Sequence, residues 1–211
     1  MKPVLITAGA TRNPIDSMRY ISANATGRTG ALLASHLVTH TEVTALCSPL
    51  AATHMPAEVR TEEFGSTIDL MGKMKTWIEA NPKCVVIHSA AVGDYEVRDP
   101  STDSKISSGQ GCITIQLEPT PKILDCIQDW SSEAKVTSFK AAPPATSQRQ
   151  LEVVATKQLL RTNSDLVFAN IIGSIHQQVM LVRREETEEY PTRKEAIDAL
   201  ILRLQDQIVG G

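Results

Sequence analysis

The chain has 211 residues, 42% hydrophobic and 21% charged, which suits one globular domain with a sizeable core. A formal net charge of -3 gives no support to a nucleic-acid-binding surface. No apolar run is long enough to span a bilayer, and the apolar part of MKPVLITAGA is too short for a signal peptide, so a cytoplasmic protein without membrane partners is expected.

In chain order, PVLITAG (3–9) has the pattern of a buried parallel strand, and GALLASHLVTH (30–40) has helical spacing. EVTALCSP (42–49) reads as a second strand and VRTEEF (59–64) as a weaker third. Ser66 with Asp69 resembles a capping box opening a helix to residues 77–80. KCVVIHSAAVGD (83–94) is the strongest strand signal and ends in small residues. The polar stretch 98–111 has no apolar period, and ITIQLEP (113–119) alternates. Thr120 followed by Pro121 predicts an N-cap and first helical position for KILDCIQDW. KVTSFKAA (135–142) is a strand, Ser147 to Gln150 caps a helix through Arg161, and DLVFANI (165–171) is a strand. VMLVRREETEEYP (179–191) predicts two strands around a solvated charged turn, and Thr192 to Glu195 caps a last helix to about Val209.

Alternating strands and helices predict an α/β, Rossmann-like fold: a mostly parallel sheet with helices on both faces. The pieces 113–118 and 179–190 predict a small antiparallel extension at one end. The whole of 1–211 is expected to be one domain, with a lid-like loop at about 98–111 and a β-hairpin at about 179–191. Cys47, Cys84, Cys112 and Cys126 lack C-x-x-C spacing and are expected as buried, reduced thiols.

In such folds ligands collect at the carboxyl ends of the strands. Gly9 lets a backbone approach a ligand closely, and Ala25-Thr26-Gly27-Arg28-Thr29-Gly30 precedes a helix. This second loop is either a phosphate cradle or a plain tight turn. Ala90-Ala91-Val92-Gly93 would leave room and expose backbone N–H groups beneath Asp94, whose carboxylate accepts ligand hydrogens, helps hold a metal, or caps a turn. Lys105 lies in the polar stretch, either as a lid cation closing on phosphate or as a solvated side chain. Lys157 and Arg161 are spaced i and i+4, two cations for a triphosphate or a solvated helix face. His88 reads as a hydrogen-bonded core histidine; His36 and His40 lack a metal motif; Met71, Met74 and Ile78 read as core packing.

Taken in order, ITAGATRNPIDSMRYIS…ATGRTG, AAVGDY, SKISS, LEPTPKIL, SFKAA and DLVFAN resemble the phosphopantothenoylcysteine synthetase family, the phosphopantothenate–cysteine ligases of coenzyme A synthesis. The KISS…TPKI pair resembles most the stand-alone bacterial form. The resemblance implies a homodimer whose sites are completed by the neighbouring subunit, phosphopantothenate and cysteine as substrates, CTP or ATP as co-substrate, and Mg²⁺. By position it implies a nucleotide site at Gly9, Gly27 and Gly30, with Phe139 and Asn170 near base and ribose and Lys157 and Arg161 near the triphosphate. It implies phosphopantothenate at Ala90, Ala91 and Asp94, Arg19 reaching in from the partner subunit, and Lys105 as catalytic lid lysine. The family pattern R-x-x-x-N-x-S-x-G meets Ala23 and Ala25 here, with Asn24 as the candidate for the acyl-nucleotide role, and Ile171 replaces the family's Asp. A catalytically impaired homologue is the alternative; a Rossmann oxidoreductase is opposed by the absent third glycine and by Pro14.

Overall fold

The computed structural model describes the chain apart from Gln110, Ile175 and Gly211. Val4–Ala8 (β1), four apolar residues and Thr7, all buried, form a central strand paired in parallel on both sides. Arg12–Pro14 (β2) and Tyr20–Ser22 (β3) make a short antiparallel hairpin that no sequence period announces. There follow Arg28–Leu37 (α1), Val43–Cys47 (β4), Pro49–Ala52 (α2), Arg60–Glu63 (β5) and Thr67–Ala80 (α3). Then come Val85–His88 (β6), Tyr95–Val97 (β7), Leu117–Pro119 (β8), Ile123–Trp130 (α4) and Lys135–Ala142 (β9). Gln148–Thr162 (α5), Leu166–Ile171 (β10), Gln177–Val182 (β11), Thr187–Thr192 (β12) and Arg193–Val209 (α6) complete the chain.

The main sheet has eight strands in the order β12-β11-β10-β9-β6-β1-β4-β5. All pairings from β10 to β5 are parallel; β11 and β12 add antiparallel. Strand order reverses at β1 and β6, the position where open α/β sheets place ligands. Alternate residues feed opposite faces: Val4 and Ile6 pack with Leu33, Leu37 and Leu200 of α1 and α6, while Leu5 and Val86 pack with Met74, Ile78 and Ile127 of α3 and α4. Helix α5 covers Val167 and Ala169 through Leu151, Ala155 and Leu159.

The antiparallel extension is divided differently from the sequence expectation. Residues 177–192 join the main sheet, whereas of 113–119 only Leu117–Pro119 is a strand, and it pairs with β7 in a separate two-stranded sheet. The strong run 83–94 contributes only Val85–His88 as strand; beyond it Ala91 makes an isolated bridge to Ala10. Thr120 is not an N-cap. Helix α4 starts at Ile123 after Lys122, with no side-chain cap, and the Thr120 hydroxyl donates instead to the Gly93 carbonyl at 2.5 Å. Cys47 and Cys84 are buried free thiols as expected, but Cys112 is exposed and Cys126 only partly covered. Among the described residues, no helix is long and apolar enough to cross a membrane.

Candidate active site

The glycine turns interlock at the carboxyl end of β1. Gly9 and Gly27 both have positive φ, 90° and 78°. A side chain at Gly9 would collide with Ser48 at the start of α2, and a Cβ on Gly27 would lie 3.0 Å from the Gly9 nitrogen. A Cβ on Gly30 would stand 2.7 Å from that of Ala8. Close packing of strand and helix therefore demands all three. Gly27 precedes α1 with no side-chain cap, and the first turn of α1 holds no acidic residue. Its N–H groups and positive dipole end suit an anion.

At the ends of β6 and β9 lies a cavity of about 220 Å³. Ala90, Val92 and Asp94 line one side; Phe139, Lys140 and Arg161 line another, with Lys122 at the rim. The alanine tip is fixed from within. The Ala90 N–H donates to Thr7 Oγ1 at 3.1 Å, Ala91 N–H to the Gly9 carbonyl at 2.8 Å, and Gly93 N–H to Thr11 Oγ1 at 2.8 Å. These N–H groups are not exposed for a ligand, contrary to expectation; the small side chains supply room, and Asp94 supplies the charge. Asp94 pairs with Lys122, and Arg161 with Asp125, all on exposed side chains. Phe139 packs on Phe168 with ring centroids 5.1 Å apart, and Gln158 Nε2 donates to the Phe139 carbonyl at 3.2 Å.

His88 lines the cavity floor, within 2.9 Å of Thr7 Oγ1 through Nδ1. Burial pushes its pKa down to about 4, so it is neutral at pH 7 and has no proton to give as an imidazolium. A larger cavity, about 670 Å³, lies between β5 and α3. It holds none of the predicted site residues and sits at the sheet edge, away from the switch point, so the smaller one is the better candidate.

Arg19 and Lys105 come together elsewhere. The 98–106 segment docks on the β2–β3 turn, where Arg19 Nη2 donates to the Ile106 carbonyl at 3.0 Å, next to exposed Lys105. Asn24 is exposed between β3 and α1, Lys157 is exposed on α5, and Asn170 is buried at the end of β10; none of the three lines the cavity. Among the described residues there is no cluster of three or more His, Cys, Asp or Glu able to hold a metal.

Sequence reasoning passed over Lys122, Lys140 and Arg193. Lys140 stands inside SFKAA, at the carboxyl end of a strand that the sequence marks, so its place was available as a signal; Lys122 stands inside TPKI, just before α4, where no strand end points to it. Arg193 gave none: its Nη2 reaches Thr29 Oγ1 at 2.9 Å across 164 residues, while its guanidinium lies 5.0 Å over the Phe168 ring.

Comparison with known proteins gives a consistent picture. The family described as DNA/pantothenate metabolism flavoprotein C-terminal domain matches residues 1–207. The coenzyme A biosynthesis bifunctional protein CoaBC of Thermococcus kodakarensis is 34% identical over 206 residues, covering 94% of this chain and 50% of that protein. The chain thus spans about half the length of the curated relatives it matches. The crystal structure of the DNA/pantothenate metabolism flavoprotein from Streptococcus pneumoniae has a TM-score of 0.86 at 25% identity, covering 97% of this chain and 99% of that one. A complex of the Cab2 mutant H337A with phosphopantothenate-cysteine has a TM-score of 0.76 at 20% identity, covering 99% and 87%, and shows the shared fold.

Proposed function

The chain belongs to the DNA/pantothenate metabolism flavoprotein C-terminal domain family, and from that premise we propose that it joins 4′-phosphopantothenate to cysteine through an acyl-nucleotide. A carboxylate oxygen of phosphopantothenate attacks the α-phosphorus of CTP or ATP, and pyrophosphate leaves. The cysteine amine then attacks the activated acyl carbon, gives up a proton, and expels the nucleoside monophosphate. Activation is needed because a free carboxylate is a poor electrophile; the residues supply positioning and charge.

The observation that carries this reading is the placement of an uncapped helix N-terminus and a cation-rimmed cavity on neighbouring strands of the switch point. In it, the first turn of α1, with Gly9, Gly27 and Gly30, faces phosphates. Phe139 and Asn170 serve base and ribose, and Lys157 and Arg161 the triphosphate. Ala90, Ala91 and Asp94 make room for and orient phosphopantothenate. Lys105 offsets charge developing around phosphorus. Mg²⁺ would enter with the nucleotide, held mainly by its phosphates and by water, and would offset their charge.

A homodimer completes the site through Arg19 in this reading. It is supported by exposed apolar side chains on and beside the two small sheets: Met18, Tyr20, Tyr95, Ile113, Ile115 and Leu117.

Purified protein given phosphopantothenate, cysteine, Mg²⁺ and CTP or ATP is expected to release pyrophosphate, and Lys105→Ala to lose most of that turnover with the fold retained. No release with either nucleotide overturns the proposal. One observation favours the impaired alternative: Ala23 stands where the family pattern has Asn, and Asn24 is exposed to solvent. Under that alternative Ala23→Asn raises turnover sharply; an active parent unchanged by Ala23→Asn removes it.

A further inference from the structure

The buried carboxylate of Asp16 has no part in the chemistry above. It sits in the turn between β2 and β3 at 4% exposure. Its Oδ1 accepts the N–H groups of Met18 at 2.9 Å and Arg19 at 2.8 Å, closing the turn. Its Oδ2 accepts the Ile106 N–H at 3.1 Å, 90 residues further along the chain. Arg19 takes the other side of the same residue: Nη2 donates to the Ile106 carbonyl at 3.0 Å, and Nη1 lies 3.5 Å from Asp16 Oδ2. Ile106 is therefore held at both its backbone polar groups by one ion pair. Two backbone bonds extend the seam, Ser101 N–H to the Ile15 carbonyl at 3.0 Å and Ser17 N–H to the Ser104 carbonyl at 3.2 Å.

Closing a turn needs only an Asn or Ser side chain. Burying a full charge there is costly unless every lone pair finds a donor. Three amide donors and a guanidinium meet that need here, and one of the amides belongs to the residue after Lys105. We propose that Asp16 is a positioning residue: with Arg19 it clamps Ile106 and so holds the adjacent Lys105, the lysine that the ligase reading sets against the reacting phosphates. The proposal rests on the ligase reading. The Met18 amide, followed by those of Ile106 and Arg19 and the Arg19 charge, holds the Asp16 carboxyl below its usual range despite its burial, so the clamp is charged at neutral pH.

The test is Asp16→Asn in the full chain, read by amide exchange and by pyrophosphate-release kinetics with CTP and ATP. Asn keeps an acceptor for Met18 and Arg19 but turns an NH₂ toward the Ile106 N–H, donor against donor. The Ile106 amide is expected to exchange at least about fivefold faster, from loss of one charge-assisted hydrogen bond. Met18 and Arg19 amides stay protected, as do those of β1 and β6, which shows the fold is intact. With Lys105 displaced, kcat falls by about tenfold or more while the nucleotide KM changes less, a split that a mere loss of stability does not produce. Unchanged Ile106 exchange overturns the clamp, and faster exchange with an unchanged kcat overturns its positioning role. A wild-type chain releasing no pyrophosphate removes the ligase reading and the clamp's purpose with it. An active wild type whose Asp16→Asn variant keeps its kcat removes the clamp proposal alone.

Discussion

His88 shows how a single residue can be legible in kind and still carry a consequence that needs the structure. Its strand position predicts a core histidine, and its bond to Thr7 bears that out. Burial lowers its pKa from 6.5 to about 4. The sign follows: as pH falls below 6.5 the unfolded chain takes up a proton that the folded chain refuses, so stability is complete above 6.5 and is lost down to about 4. A shift of that size corresponds to roughly 3 kcal/mol as an upper estimate. The lowered carboxyls of Asp16 and Glu188 act below their ordinary values of 3.8 and 4.5, so the upper part of the window belongs to histidine. Urea unfolding at pH 7.5, 6 and 5 is expected to show stability falling in the wild type and a flatter profile in His88→Gln. Parallel profiles would show that His88 is not the source. Asp94 and Lys122 are the opposite case at this scale: each is visible in the sequence, but their pairing across the cavity rim is a tertiary fact that no local pattern encodes.

At the scale of elements, legibility divides between local and distant hydrogen bonds. Ser147 and Gln150 form the capping box that the sequence predicts, with the Ser147 N–H donating to Gln150 Oε1 at 2.9 Å and the Gln150 N–H to Ser147 Oγ at 3.3 Å. Thr192 likewise caps α6 by accepting the Glu195 N–H. Thr120, marked by the following Pro121 and not by a Glu or Gln three residues on, does not cap a helix: α4 begins only at Ile123, and the Thr120 hydroxyl donates to the Gly93 carbonyl of the alanine-lined tip. The strands of the β2–β3 and β7–β8 pairs are three residues each, too short for an alternation to register, and each sheet exists only through its partner. The candidate site inherits this division: its glycine turns and strand ends are legible, while the docking of the Lys105 segment on the Arg19 turn is not. A consequence for α5 can be measured. Ser147→Ala removes the acceptor for Gln150 and one half of the box, so unfolding free energy is expected to drop by about 1 kcal/mol. Because α5 carries Gln158 and Arg161 to the cavity, Ser147→Ala is a stability probe of the element that frames it; no drop in a urea titration would mean that the N-terminal turn contributes nothing to that frame.

For the whole molecule, the eight-stranded sheet leaves the two small sheets as appendages at its ligand-binding end, and these carry apolar side chains that the core does not use. Tyr95 is 53% exposed and Leu117 45%, on strands paired with each other, while Arg12 lies 5.0 Å over the ring of half-exposed Tyr20 on the other hairpin. A monomer leaves this surface in water; the proposed homodimer covers it and brings Arg19 to a second site. Burying one Leu side chain is worth about 1.5–3 kcal/mol, and a twofold axis counts each substitution twice. Leu117→Glu, which also places a carboxylate in the contact, is therefore expected to weaken dimerisation by at least about 3 kcal/mol, or more than a hundredfold. Sedimentation equilibrium over a micromolar range measures this directly, and pyrophosphate release at the same concentrations reports whether the site needs its neighbour. Dimer and turnover lost together support a shared site. A wild-type chain that is monomeric and fully active at those concentrations would place Arg19 in the service of its own subunit, where its hold on Ile106 already puts it.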